Sequence, residues 1–123
     1  MEAGLVFDGQ GAPIHWHTPP DRTGVALPDS RALWEVLWEN RHRLGGVAHT
    51  HPFCGPPAPS VTDLTTFAAV EAGLGQRLLW PIVTFTAVGY YVWFGPDRLD
   101  YAAAAGRFRL GRESIEKLRE LSR

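Results

Sequence analysis

The residues with the clearest chemical potential lie between His49 and Asp63. The segment reads His49-Thr50-His51-Pro52, then a loop rich in Pro and Gly, then Ser60-Val61-Thr62-Asp63. Two imidazoles and one carboxylate can hold a zinc ion and leave one coordination position for water. That is the ligand count of a hydrolytic zinc site, not of a structural one. Residues two apart on a strand point to the same side, so His49 and His51 aim at one point while Thr50 faces away. Asp63 falls in the first turn of the next helix, where the helix dipole favours the ionised carboxylate that a metal ligand must be. One Zn2+ per chain, held at roughly 2.0–2.2 Å, fits this donor set. Zinc would lower the pKa of water in the fourth position to about 7.

Such a site needs a general base to carry a proton from water to a leaving amine. Glu2, Asp8, Asp21, Asp29, Glu35 and Glu39 precede the motif. Glu35 and Glu39 fall on the solvated side of a helix. Glu2 directly precedes the first apolar strand, which could hold it beside the site, and Glu35 stands in reserve. Ser60, one helical turn before Asp63, has a hydroxyl able to donate to the oxyanion of a tetrahedral intermediate. Ser60 and Asp63 also read as a capping box, and the two uses are compatible.

The elements that must position these groups follow from local pattern. Gly4 to Phe7 is a short apolar run, Asp8 to Gly11 a turn, and Ala12 to Thr18 the returning strand of a hairpin. After the loop Pro19 to Gly24, Asp29 or Ser30 caps a helix running to about Leu44. Leu33, Trp34, Leu37 and Trp38 lie on its apolar side, and Gly45-Gly46 ends it. Gly46 to Thr50 is a buried strand delivering both histidines at its end. Pro52 to Pro59 holds four prolines in eight residues and is a stiff loop. Ser60 to Leu74 is a second helix, with Ser60 as N-cap, Asp63 at the third helical position and Gly75 as terminator. Leu78 to Val88 is a long strand paired across Gly89 with Tyr90 to Phe94. Tyr101 to Leu110 is ambiguous, and Glu113 to Ser122 is an amphipathic helix with Ile115, Leu118 and Leu121 near one face. Alternating strands and helices make the class mixed α and β (α+β).

Composition narrows the function. The 123 residues suit one domain spanning 1–123, 45% hydrophobic and 20% charged. A net charge of −1 argues against nucleic acid as a partner, since phosphate binding needs a basic surface. The single cysteine, Cys54, rules out an intrachain disulfide and a Cys-rich zinc ribbon. No apolar run is long enough to span a bilayer. A free thiol and the lack of a basic leader point to the cytoplasm.

The motif resembles that of the JAB/MPN+ (JAMM) metallopeptidases, namely His-x-His-Pro, a loop, then Ser-x-x-Asp, with a glutamate upstream on the first strand. The resemblance implies an MPN/JAB domain with a cytidine-deaminase-like sheet flanked by helices. It implies a zinc peptidase or isopeptidase, deubiquitinase-like, that cuts after the C-terminal Gly of a ubiquitin-like or sulfur-carrier protein. His49, His51 and Asp63 match the zinc ligands and Ser60 matches the serine assisting the tetrahedral intermediate. Glu2, in the context Glu2-Ala3-Gly4-Leu5-Val6, matches the catalytic glutamate. Two features depart from the family. The loop between His51 and Ser60 is one residue longer than its commonest form, and the helix that usually precedes the glutamate has no counterpart. The chain is closer to the small bacterial members, and a single chain, a homodimer or a larger assembly are all compatible with it.

The competing readings are a non-catalytic binding module of the same fold and a zinc hydrolase of another class. A nucleoside deaminase is disfavoured because its zinc needs a Pro-Cys-x-x-Cys arrangement, which one cysteine cannot supply. His15-Trp16-His17 is a second His-x-His, but no Ser-x-x-Asp follows it, so it reads as a polar strand face. Cys54 reads as a plain loop residue. Trp34 and Trp38 read most simply as core.

Overall fold

The computed structural model describes residues 1–104, 106 and 108–123. Ala105 and Arg107, inside the ambiguous Tyr101 to Leu110 stretch, lie outside the described residues. The elements run β1 (Gly4–Asp8), β2 (Pro13–His17), α1 (Arg31–Glu39), β3 (Leu44–Thr50), α2 (Val61–Leu74), β4 (Trp80–Val83), β5 (Val88–Trp93), β6 (Tyr101–Ala103) and α3 (Arg112–Ser122). The strands form one mixed sheet in the order β2-β1-β3-β4-β5-β6. Only β3 and β4 pair in parallel, and α2 makes the crossover that a parallel pair requires. The mixed α and β class is as expected.

Strand alternation sorts the side chains into two cores. One face carries Val6, Trp80 and Ile82, covered by Leu33 and Leu37 of α1 and by Phe67 and Leu74 of α2. The other carries Leu5, Phe7, Ala48 and Val83, covered by Leu118 of α3, with Ile115 and Leu121 at its margin. His49 and His51 fall on the first face. Thr50 falls on the second.

Three boundaries differ from the sequence reading. Helix α1 stops at Glu39 rather than near Leu44. Asn40 ends it because its side-chain amide and its backbone N–H both donate to the Val36 carbonyl, at 2.8 and 3.1 Å. Gly45 and Gly46 therefore do not end a helix but lie inside β3. A Cβ on Gly45 would sit 2.2 Å from the Asp8 carbonyl oxygen, and one on Gly46 would sit 1.9 Å from that of Leu79. The strand crosses its neighbours so closely that only glycine fits. The turn of the β4–β5 hairpin is Thr84–Ala87, not Gly89. The Thr84 hydroxyl accepts from the Ala87 N–H at 3.1 Å and closes it. Gly89 instead lies in β5 opposite Ile82.

Trp34 and Trp38 are not core. They are 38% and 46% exposed and stack on each other at 6.4 Å, while Leu33 and Leu37 take the buried positions. The Arg41 guanidinium covers Trp38 at 4.1 Å. The helix is too short and too shallowly docked to bury a fourfold apolar stripe, so its two largest side chains lie at the margin.

Candidate metal centre

The start of β1, the end of β3 and the start of α2 meet at one corner of the sheet. β1 and β3 are antiparallel, with Gly4 opposite His49. The same register carried two residues further places Glu2 opposite His51. Gly4 therefore stands beside His49 on the same face without a side chain to crowd it. A capping box fixes the other side. The Ser60 hydroxyl accepts from the Asp63 N–H at 3.0 Å, and Asp63 Oδ2 accepts from the Ser60 N–H at 2.9 Å. This reciprocal pair points the Asp63 carboxylate back over the end of β3.

The result is a close triad. His49 Nε2 lies 3.1 Å from His51 Nε2. His49 Nε2 is 3.2 Å from Asp63 Oδ1, and His51 Nε2 is 3.0 Å from Asp63 Oδ2. Among the described residues this is the one group of three or more such side chains able to share a metal ion. Ligands at about 2.0–2.2 Å in a tetrahedral array lie roughly 3.3–3.6 Å apart. The three side chains each offer a donor atom close enough to the others to share one metal ion. Phe67 packs edge-on against His49 at 6.1 Å, and Phe53 stacks against His51 at 6.4 Å, which limits ring motion.

The electrostatics follow from this packing. Burial works to raise the Asp63 pKa, but the hydrogen bonds from His49 and His51 win and hold it well below the usual carboxylate range. His51 is shifted up, first by its hydrogen bond to Asp63, against the opposing effect of burial. Glu2 is 7% exposed. Burial raises its pKa, the two imidazoles pull it back, and Asp63 pushes it up again. Glu2 lines the same cavity as all three members of the triad.

The Glu2 backbone is firmly held. Its N–H donates to the Thr23 carbonyl at 2.6 Å, and its carbonyl accepts from Arg22 Nη1 at 3.1 Å. The Met1 nitrogen donates to the Ser122 carbonyl at 2.7 Å. The loop between the ligands is also anchored. The Gly55 N–H donates to the Thr86 hydroxyl at 3.0 Å, the Gly55 carbonyl accepts from the Thr84 hydroxyl at 2.7 Å, and the Phe85 N–H donates to the Phe53 carbonyl at 3.0 Å. Tyr91 adds a hydrogen bond to the Pro57 carbonyl. The loop between His51 and Ser60 is thus a docked segment.

A cavity of about 1030 Å3 opens from the triad toward α1, walled by the 24–30 loop and lined by Leu27, Leu33, Trp34, Val47 and Val70 as well as Glu2 and Ser60. Among the described residues no Lys or Arg lines it. The structure thus brings together all five residues singled out in the sequence, Glu2, His49, His51, Ser60 and Asp63. Glu35 is not among them, since it is exposed and paired with Arg31 at 3.1 Å. Among the described residues, His15 and His17 belong to no group of three or more side chains able to share a metal ion. His17 Nε2 lies 2.7 Å from the Pro28 carbonyl, donates to it, and so pins the loop that walls the cavity. Cys54 is exposed and lies outside the triad. Sequence reading missed Arg22, Thr23 and Ser122, which act from far along the chain and carry no local signal.

No protein-family model and no curated protein matches this sequence. Among the described residues no helix is long and apolar enough to cross a membrane.

Proposed function

We propose that the chain is a zinc-dependent peptidase or isopeptidase of the JAMM type, cutting after the C-terminal Gly of a ubiquitin-like or sulfur-carrier protein. The convergence of His49, His51 and Asp63, with the buried Glu2 lining the same cavity, is the observation that carries it. His49 and His51 through Nε2 and Asp63 through its carboxylate would hold the ion. Bound Zn2+ supplies a Lewis acid that polarises a carbonyl and makes water nucleophilic near neutral pH.

The remaining steps belong to the chain's own residues. Glu2 accepts the proton of the attacking water and passes it to the leaving amine. Its raised pKa brings it nearer the working pH, which favours both transfers. The Ser60 oxygen is engaged as an acceptor by the Asp63 N–H, so its own proton is free for the oxyanion. Among the described residues no Lys or Arg lines the cavity to grip a free carboxylate, which suits an amide inside a longer chain. The ligand strand β3 is interior, so the sheet edge nearest the site is β2, which borders the cavity through His17. An extended tail added at that edge is read by its backbone.

The test is the zinc content of untagged protein by elemental mass spectrometry, beside His51→Ala. About one zinc per chain, lost in the variant, is expected for a three-ligand site. No zinc in either sample after reloading would leave a non-catalytic binding module as the better account.

A further inference from the structure

We infer that the last turn of α3 seats the general base, with Thr50, Ser122 and Arg22 as positioning residues. The inference rests on the reading of Glu2 as that base. Thr50 stands between the two ligand histidines, 1% exposed, with its side chain on the opposite face of the sheet. Its N–H donates to the Ala3 carbonyl at 2.9 Å, and its hydroxyl accepts from the Ala3 N–H at 2.8 Å. The same hydroxyl lies 2.7 Å from the Ser122 hydroxyl, and Ser122 Oγ lies 2.8 Å from the Leu118 carbonyl.

Each hydroxyl has one proton, and the short contact of Ser122 Oγ to the Leu118 carbonyl, 2.8 Å against 3.5 Å from Thr50 Oγ1 to the Ala3 carbonyl, favours one direction for this relay. Ser122 donates to Leu118, Thr50 donates to Ser122, and the Ala3 N–H donates to Thr50. The groups are buried and every link is satisfied, a setting in which successive hydrogen bonds reinforce one another. A second tie runs parallel to it. Arg22 Nη1 donates both to the Glu2 carbonyl at 3.1 Å and to the Leu121 carbonyl at 3.0 Å. The residue before Ala3 is Glu2. Its backbone is thus clamped between the loop carrying Arg22 and the last turn of α3.

The three ligand residues have ties of their own: His49 lies in the ladder of β3, the His51 N–H donates to the Val83 carbonyl at 3.0 Å, and Asp63 is held by the capping box of α2. Loosening the last turn of α3 leaves those ties in place, so metal loading and turnover are expected to come apart.

Thr50→Val removes the hydroxyl at nearly constant shape, Ser122→Ala removes the next link, and Thr50→Ser is the conservative rescue. Three quantities are measured: zinc per chain, kcat and KM for ubiquitin carrying a C-terminal coumarin amide, and amide hydrogen exchange over residues 1–5. Thr50→Val and Ser122→Ala are expected to keep their zinc and lose on the order of tenfold or more in kcat, since small misplacements of a catalytic group are expensive. KM should stay within about twofold. Exchange at Ala3 should accelerate, and Thr50→Ser should restore both kcat and protection. Unchanged exchange at Ala3 overturns the inference, as does a loss of zinc in parallel with kcat. Should the wild-type protein bind zinc yet leave the coumarin amide uncut, the substrate reading fails by itself. Exchange at Ala3 then decides whether α3 seats the Glu2 segment.

Discussion

Glu2 is a carboxyl that the fold partly desolvates, and the consequence is measurable without any substrate. Burial raises its pKa above the ordinary glutamate value. The folded state then binds this proton more tightly than the unfolded chain. The group's contribution to stability is fully present below the unfolded pKa and is lost as pH rises through the folded one. In zinc-free protein, Glu2→Gln should therefore melt higher than wild type at neutral pH. The gain should shrink as pH falls through the unfolded glutamate pKa of about 4.3 and vanish roughly a unit or more below it, where glutamate is protonated in both states. A gain independent of pH would show that the charge is not the cause. The same variant, zinc-loaded, should lose turnover and keep its metal. The ligand triad was legible from sequence because its determinants are local: a two-residue strand period and a three-residue capping box. The clamp on Glu2 was not, because Thr50 and Ser122 are 72 residues apart and nothing near either one announces the other.

Helix α2 shows how one N-terminus combines stability with chemistry. Ser60 caps the helix, orients Asp63 and keeps a proton to donate. Ser60→Ala should lower stability by about 1 kcal/mol, the usual worth of an N-cap, and should also slow turnover. Ser60→Asp keeps an acceptor for the Asp63 N–H but brings no hydroxyl proton. It should recover most of the stability in urea denaturation and none of the rate. Full rate in Ser60→Asp would remove Ser60 from the chemistry. At this scale the sequence revealed the order and type of most elements, since caps and periodicity are local signals. It misread Gly45 and Gly46 because close approach between strands and termination of a helix both select glycine. Only the partner strand, Asp8 on one side and Leu79 on the other, distinguishes them.

Across the whole molecule, the face that bears the site is locked by one buried acid far from it. Glu71 of α2 accepts from the Leu78 N–H at 2.8 Å, from Trp80 Nε1 at 3.0 Å and from Arg77 Nη1 at 3.0 Å, and Tyr101 donates its hydroxyl to the same carboxylate. The helix, strand β4 and the sheet margin at β6 are thus tied at one point. Glu71→Ala would strand two buried donors and should destabilise the protein by about 3 kcal/mol in urea denaturation. A change below about 0.5 kcal/mol, the ordinary range for surface substitutions, would refute the lock. The relay from Ala3 through Thr50 to Ser122 also bears on the order of events during synthesis. Its links span 47 and 72 residues. A nascent chain has made both histidines and Asp63 long before α3 has left the ribosome. The ties from Thr23 and Arg22 to the Glu2 backbone can form early, whereas the tie through Ser122 closes only once α3 has been made. On the function proposed above, synthesis of that helix would set the moment at which the base is seated.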